Sequence, residues 1–400
     1  MTRAATDAVR SGMGSDRQHG AVVPPLYLSS NFTFDGFNGK RQYDYTRSGN
    51  PTRDELAEAI SRLEGGSGSV ITASGMAAVT LCLTLLGPKD RLLAPRDCYG
   101  GTFRLMTHLA KKGAFQLTLM DPTQPESVAL MADPQVKMVW LETPSNPLLR
   151  ITDLAHWSQN RPRPEVWIVV DNTFLSPLLQ SPLSYGADLV VHSTTKYLNG
   201  HSDVVGGAVV TKTPALHETL TWWANCLGVT GAPFDSFLTL RGLRTIGARL
   251  DIHEQNARAL ARDLDEHPAV TRVYYPGLSH HPGHEIAKMQ QKGFGGMIGF
   301  ELAGGEDQVR TFLAGLQLFT LAESLGGVES LVAHPATMTH AALSESDRQA
   351  AGISNQLLRL SVGIEALEDL REDLILGLNR VHAQVKKNPL EGHDDDTFFG

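Results

Sequence analysis

Uninterrupted apolar runs punctuate the middle of the chain, and amphipathic stretches fill the intervals between them. SVIT (69–72), RLLAP (91–95), FQLTLMD (115–121), VKMVWLE (136–142), VWIVVD (166–171), ADLVVHS (187–193) and GGAVVT (206–211) are largely apolar from end to end. Such runs predict strands covered on both faces. Between them, ASGMAAVTLCLTLL and YGGTFRLMTHLAKKG carry helical spacing, the first opened by Gly75. This alternation predicts an α/β domain over residues 61–250, built on a large, doubly wound, mostly parallel sheet.

The flanks read differently. Residues 1–60 combine Pro24-Pro25 with aromatics at Tyr27, Phe32, Phe34 and Phe37 and show little periodicity, which predicts an arm packed on a neighbouring subunit. Near its end, Thr52 and Glu55 have capping-box spacing ahead of a helix that carries Leu56, Ala59, Ile60 and Leu63 on one face. Gly65-Gly66 stops that helix. Past residue 250, helical patterning to Asp265 leads to strands in TRVYYPG, GGMIGFEL and LLRLSVG, a smaller α+β domain over 251–385. Residues 386–400 are polar and charged and predict a disordered tail.

Composition removes several function classes. A net charge of −8 without a Lys/Arg block argues against nucleic acid or an anionic membrane as partner. No apolar run approaches the roughly 20 residues of a membrane span. The N-terminal residues lack the apolar core of a signal peptide, so a cytoplasmic location is expected. Cys82, Cys98 and Cys226 are scattered and suggest neither a disulfide framework nor a zinc site. The His280-His281-Pro282-Gly283-His284 loop is expected to hold no metal, because ligands normally sit on elements that fix their geometry.

In an open α/β sheet, ligands bind beyond the carboxyl ends of the strands. Those ends carry Ser74-Gly75-Met76, Glu142 to Pro147, Asp171-Asn172 and Ser193-Thr194-Thr195-Lys196. Each could serve a local turn; their convergence at one edge is what suggests a site. There is no GxxxxGK[ST] loop, no GxGxxG after the first strand and no GxSxG, which weakens the ATPase, nicotinamide and hydrolase readings. A hydrolase with Ser193 as nucleophile would need a base, and His192 should point to the opposite sheet face. Pyridoxal 5'-phosphate (PLP) needs a lysine for a Schiff base, a carboxylate for the pyridine nitrogen and donors for a phosphate. Lys196, Asp171, the Gly75 and Met76 amides at a helix start, and the Ser193 and Thr195 hydroxyls can supply these. Tyr99, flanked by Gly100-Gly101, can supply an aromatic face.

YDYTRSGNPTR, TASGMAA, APRDCYGG, ETPSNPLLR, VVDNTF, SPLSYGADLVVHSTTKYLNGHSDVVGG and LAESLGGVESLVAHPATMTH resemble the motifs of the PLP enzymes of cysteine and methionine metabolism. The resemblance spans residues 8–380 and implies a fold type I PLP-dependent transferase, like aspartate aminotransferase. It implies Lys196 as the Schiff-base residue and proton shuttle, Asp171 on the pyridinium nitrogen and Tyr99 stacked on the ring. It places Gly75, Met76, Ser193 and Thr195 on the phosphate, with Tyr45 and Arg47 reaching the phosphate of a neighbouring subunit in a homotetramer. It implies Arg359, Asn146, Ser324, Glu323, Tyr45 and Arg104 around an amino-acid substrate. Glu323 matches a glutamate of the γ-acting members. The expected reaction is replacement of the acyl group of a homoserine ester by a thiol at the γ-carbon, the alternative being γ-elimination. Ser48 stands where some bacterial members carry a second arginine suited to a distal carboxylate.

Overall fold

The computed structural model describes residues 2–341 and 344–387. The predicted tail therefore lies, from residue 388 on, outside the described residues. Two sheets organise the rest, one of seven strands and one of five.

The large sheet contains β1 (Gly68–Thr72), β2 (Arg91–Pro95), β3 (Gln116–Met120), β4 (Val136–Glu142), β5 (Trp167–Asp171), β6 (Leu189–Ser193) and β7 (Gly207–Thr211), in the order β1-β7-β6-β5-β4-β2-β3. Strands β2 to β6 pair in parallel, as their uninterrupted apolar runs predict. β7 is antiparallel to both β6 and β1, so it runs against the rest of its sheet. Its first residue, Gly207, comes so close to the turn after β1 that a Cβ would sit 2.3 Å from the Ser74 carbonyl oxygen. Side chains from both faces close the core: Trp140 and Val169 on one side, Val139 and Val170 on the other, all essentially buried.

The small sheet contains β8 (Val270–Tyr274), β9 (Met297–Leu302), β10 (Thr320–Leu321), β11 (Leu331–Ala333) and β12 (Leu357–Ser361), in the order β10-β11-β12-β9-β8. The long helices Ile246–Asp265 and Leu367–Lys387 cover it, packing onto Phe300, Leu358 and Leu360. Among the described residues, no helix is long and apolar enough to cross a membrane.

The helix Pro51–Glu64 is capped differently from its capping-box reading. Asn50 is the cap, its Oδ1 accepting from the amides of Thr52 (2.9 Å) and Arg53 (3.3 Å), with Pro51 preset at the first helical position. That frees the Thr52 hydroxyl to accept from Tyr27 N at 2.9 Å and donate to the Pro25 carbonyl at 3.1 Å, which ties the aromatic arm to the helix. The arm leaves Phe37, Leu28 and Tyr45 exposed.

The loop after β6 is clamped by Arg249. Its guanidinium donates to the Tyr197 carbonyl (2.9 Å), the Gly242 carbonyl (2.8 Å) and Thr245 Oγ1 (3.1 Å) from a buried position. Arg249→Met would keep the bulk but strand the buried Tyr197 carbonyl, at a cost of about 1–3 kcal/mol, while the Gly242 carbonyl would still accept from Thr245 N at 3.1 Å. A lowered denaturation midpoint is expected; an unchanged midpoint would show that the clamp does not hold this loop.

Candidate active site

A cavity of about 390 Å³ opens at the carboxyl ends of β1, β4, β5 and β6, where a doubly wound sheet places ligands. Gly75, Met76, Tyr99, Asn146, Asp171, Ser193, Thr195, Lys196, Glu323, Ser324 and Arg359 all line it. Sequence separations of up to 284 residues thus collapse into one pocket, because β12 brings Arg359 beside the large sheet's edge.

Lys196 is held by burial and one hydrogen bond, its Nζ donating to Ser324 Oγ at 2.7 Å. Burial, and then the positive charge of Arg359, depress the ammonium pKa to about 8; Glu323 acts in the opposite sense. Ser324 has φ +83°, in the left-handed region, although it is not glycine. That conformation is costly and is kept where surrounding structure over-determines it. Here the Ser324 carbonyl accepts from Arg359 Nη2 at 2.7 Å while its hydroxyl accepts from Lys196.

Arg359 is 3% exposed, and burial depresses its pKa to about 10. Its Nη1 donates to Asn146 Oδ1 at 3.0 Å. Both partners are neutral oxygens, and its Nε has no hydrogen-bond partner among the described residues. A buried guanidinium in that state is suited to a carboxylate that could enter the cavity.

Asp171 presents the opposite sign. Burial raises its carboxyl above the usual range, partly offset by hydrogen bonds from Thr173 and by nearby His192. A cationic ring nitrogen facing this carboxylate would stabilise its ionised form. On the far face of the sheet the strand end is anchored by a buried network. Glu64 Oε1 accepts from His192 Nε2 at 2.7 Å and from Asn172 Nδ2 at 2.9 Å, and Gln180 Nε2 donates to Asn172 Oδ1 at 3.0 Å. His192 therefore faces away from Ser193 and cannot serve as the base of the nucleophilic-serine reading.

The helix Gly75–Leu83 starts at the cavity, with Ser74 as its cap accepting from Ala77 N at 3.1 Å. The amides of Gly75 and Met76 precede the first helical hydrogen bond and are oriented as an anion site. A Cβ on Gly75 would lie 2.8 Å from the Ser193 Cβ, so glycine alone lets the helix start approach β6 this closely. Thr195 Oγ1 is already held by Gly206, accepting from its amide at 2.9 Å and donating to its carbonyl at 3.2 Å. Tyr99 caps the helix Gly100–Lys111 and remains 42% exposed toward the cavity. The helix-start amides, the buried Lys196 amine and the buried Asp171 carboxyl make a donor set that fits PLP.

Three expected residues are not in this cavity. Arg47 lies at a separate opening of about 590 Å³ together with Ser48, and its Nη1 donates to the Asn225 carbonyl and Oδ1, both at 2.8 Å. Tyr45 is exposed beneath it. Arg104 is exposed on the helix Gly100–Lys111. Conversely, Thr173, Thr102, Phe174 and Thr339 line the cavity without having been singled out from the sequence. The DNTF stretch could have flagged Thr173, two residues past the aspartate. The three histidines of the 280–284 loop diverge: His280 faces Asp265 at 3.4 Å, His281 Nδ1 accepts from Gly283 N at 3.1 Å, and His284 Nδ1 donates to the Pro276 carbonyl at 2.7 Å.

A family model described as Cys/Met metabolism PLP-dependent enzyme matches residues 5–379. A cystathionine gamma-synthase of Escherichia coli is 54% identical over 376 residues, covering 94% of this chain and 97% of that protein. A cystathionine gamma-lyase of Bacillus subtilis is 45% identical over 373 residues, covering 93% and 98%. The crystal structure of cystathionine gamma synthase from Xanthomonas oryzae pv. oryzae, in complex with aminoacrylate and cysteine, superposes with a TM-score of 0.94 at 61% identity, covering 96% of this chain and 99% of that one.

With its depressed pKa, Lys196 should react with amine reagents ahead of exposed lysines. Competitive acetylation of the cofactor-free protein should give a Lys196 midpoint near pH 8. A midpoint at the ordinary lysine value would show that its burial does not weaken the ammonium.

Proposed function

The chain belongs to the Cys/Met metabolism PLP-dependent enzymes and has their fold type I architecture, and from that premise we propose that it is a transferase making L-cystathionine. In this reading the γ-acyloxy group of O-succinylhomoserine or O-acetylhomoserine leaves as the carboxylate, and the thiol of L-cysteine forms the new Cγ–S bond while losing its proton. The observation that carries the reading is Arg359, a buried guanidinium beside Lys196 whose bonds go to neutral oxygens and whose Nε is unpartnered among the described residues. An amino-acid α-carboxylate is the partner its planar fork fits.

PLP, when bound, supplies the electron sink that acidifies the substrate's Cα and Cβ positions. Lys196 attaches it through its amine and afterwards carries protons to and from the substrate carbons, a task that its pKa of about 8 suits near neutrality. Asp171 would keep the ring nitrogen protonated and Tyr99 would offer the ring an aromatic face; Gly75, Met76 and Ser193 would hold the phosphate, joined by Thr195 once its hydroxyl turns from the Gly206 carbonyl. Arg359 and Asn146 orient the α-carboxylate, and Ser324 holds Lys196 between transfers. Glu323 lines the cavity near Lys196, and Arg104, exposed outside it, takes no part in this reading. Tyr45 and Arg47 belong to the arm that completes a partner subunit's site in a cytoplasmic homotetramer. The exposed Phe37, Leu28 and Tyr45 support the subunit-bridging arm.

γ-Elimination of cystathionine uses the same residues, and the 45% identical gamma-lyase favours it as the second reading. Incubation with each homoserine ester, with and without cysteine, separates the two. Cystathionine should be the main product when cysteine is present, whereas faster consumption of cystathionine to cysteine and 2-oxobutyrate would establish the lyase. Arg359→Leu should raise the KM for the ester by at least about tenfold, the value of a charge-assisted bond. An unchanged KM would remove Arg359 from substrate recognition.

A further inference from the structure

Glu142 ends β4 directly beside Asp171 at the end of β5, the two being register partners in the parallel pair. It is 5% exposed and lines the same cavity. Burial, and then the neighbouring Asp171, push its carboxyl well above the usual range. A second carboxylate beside the first is an expensive way to close a turn. Its bonds show what offsets that cost. Oε2 accepts from Tyr99 N at 2.9 Å, and Oε1 accepts from Asn146 N at 2.8 Å. The two amides belong to different loops, one after β2 and one after β4, separated by 47 residues. From Asn146 the connection continues through Oδ1 to Arg359 Nη1 at 3.0 Å, through Arg359 Nη2 to the Ser324 carbonyl at 2.7 Å, and from the Ser324 hydroxyl to Lys196 Nζ at 2.7 Å.

We propose that Glu142 is a positioning residue that clamps the Tyr99 loop to the Asn146 loop, fixing the distance between the aromatic cover of the cofactor and the end of the site that receives the substrate carboxylate. The proposal rests on the PLP reading of the cavity. A carboxylate is required because it accepts at both oxygens, whereas a glutamine amide would turn an N–H toward one of the two backbone N–H groups. Tyr99 and Arg359 both line the cavity, so a slack clamp would loosen both together.

Glu142→Gln keeps the volume and removes one acceptor. The holo variant should retain the visible absorbance of the bound cofactor. Its visible circular dichroism, which reports how the ring sits against its surroundings, should change. KM for the homoserine ester should rise about tenfold, with a smaller change in kcat. In an Asn146→Ala background the same substitution should add less than about twofold to KM, because the two residues act through one connection. Glu142→Asp keeps the charge but shortens the stem so that it reaches at most one amide; it should move the dichroism and KM in the same direction, and it serves should the glutamine variant fail to fold. Unchanged dichroism and KM in a folded variant, or fully additive effects with Asn146→Ala, would overturn the clamp while leaving the cofactor reading intact. A wild-type protein with no visible band after cofactor addition would overturn both.

Discussion

Charge buried without its counter-charge is the constraint on which this structure turns. Lys196, Arg359, Asp171 and Glu142 converge on one cavity, and burial is the largest influence on all four, weakening both cations and raising both acids. An isolated buried charge is costly, and proteins tolerate it where a partner or a function compensates. The polar scaffold supplies only part of the compensation. Ser324, Asn146 and Thr173 offer neutral dipoles, and those leave room for a charged cofactor and substrate to complete the balance.

The fold makes that concentration possible by stacking parallel strands so that their carboxyl ends share an edge. β4 and β5 deliver Glu142 and Asp171 as register partners, β6 carries Ser193 two residues past Val191, the partner of Asp171, and the reversed β7 brings Gly207 against the Ser74 turn. The small sheet then contributes Arg359 from the middle of β12, where strand pairing on both sides holds it. Glu142, Asp171, Ser193 and Arg359 stand on strands and Gly75 at a helix start, which fixes them more precisely than long loops would.

Much of this was legible in the sequence. Apolar runs without alternation identify the buried parallel strands, since water-facing positions are missing from them, and strand-end placement collects Lys196, Asp171 and the Gly75 helix. What escaped depends on contacts across long separations. Asn50 rather than Thr52 caps its helix because Thr52 is recruited by Tyr27, a partner that local spacing does not reveal. Glu142 reads as one more polar strand end until its two oxygens are seen on Tyr99 and Asn146. The left-handed Ser324 carries no local sequence signal, since its conformation follows from simultaneous bonds to Lys196 and Arg359. Arg104 turns outward on the helix Gly100–Lys111.

Every role proposed for the cavity rests on covalent binding of PLP at one lysine. Borohydride reduction of the protein with its cofactor, followed by peptide mass analysis, tests it most directly. A single pyridoxyl adduct is expected, on Lys196, and it should disappear in Asp171→Ala protein at limiting cofactor. An adduct on another lysine, or none in the wild-type chain, would contradict it.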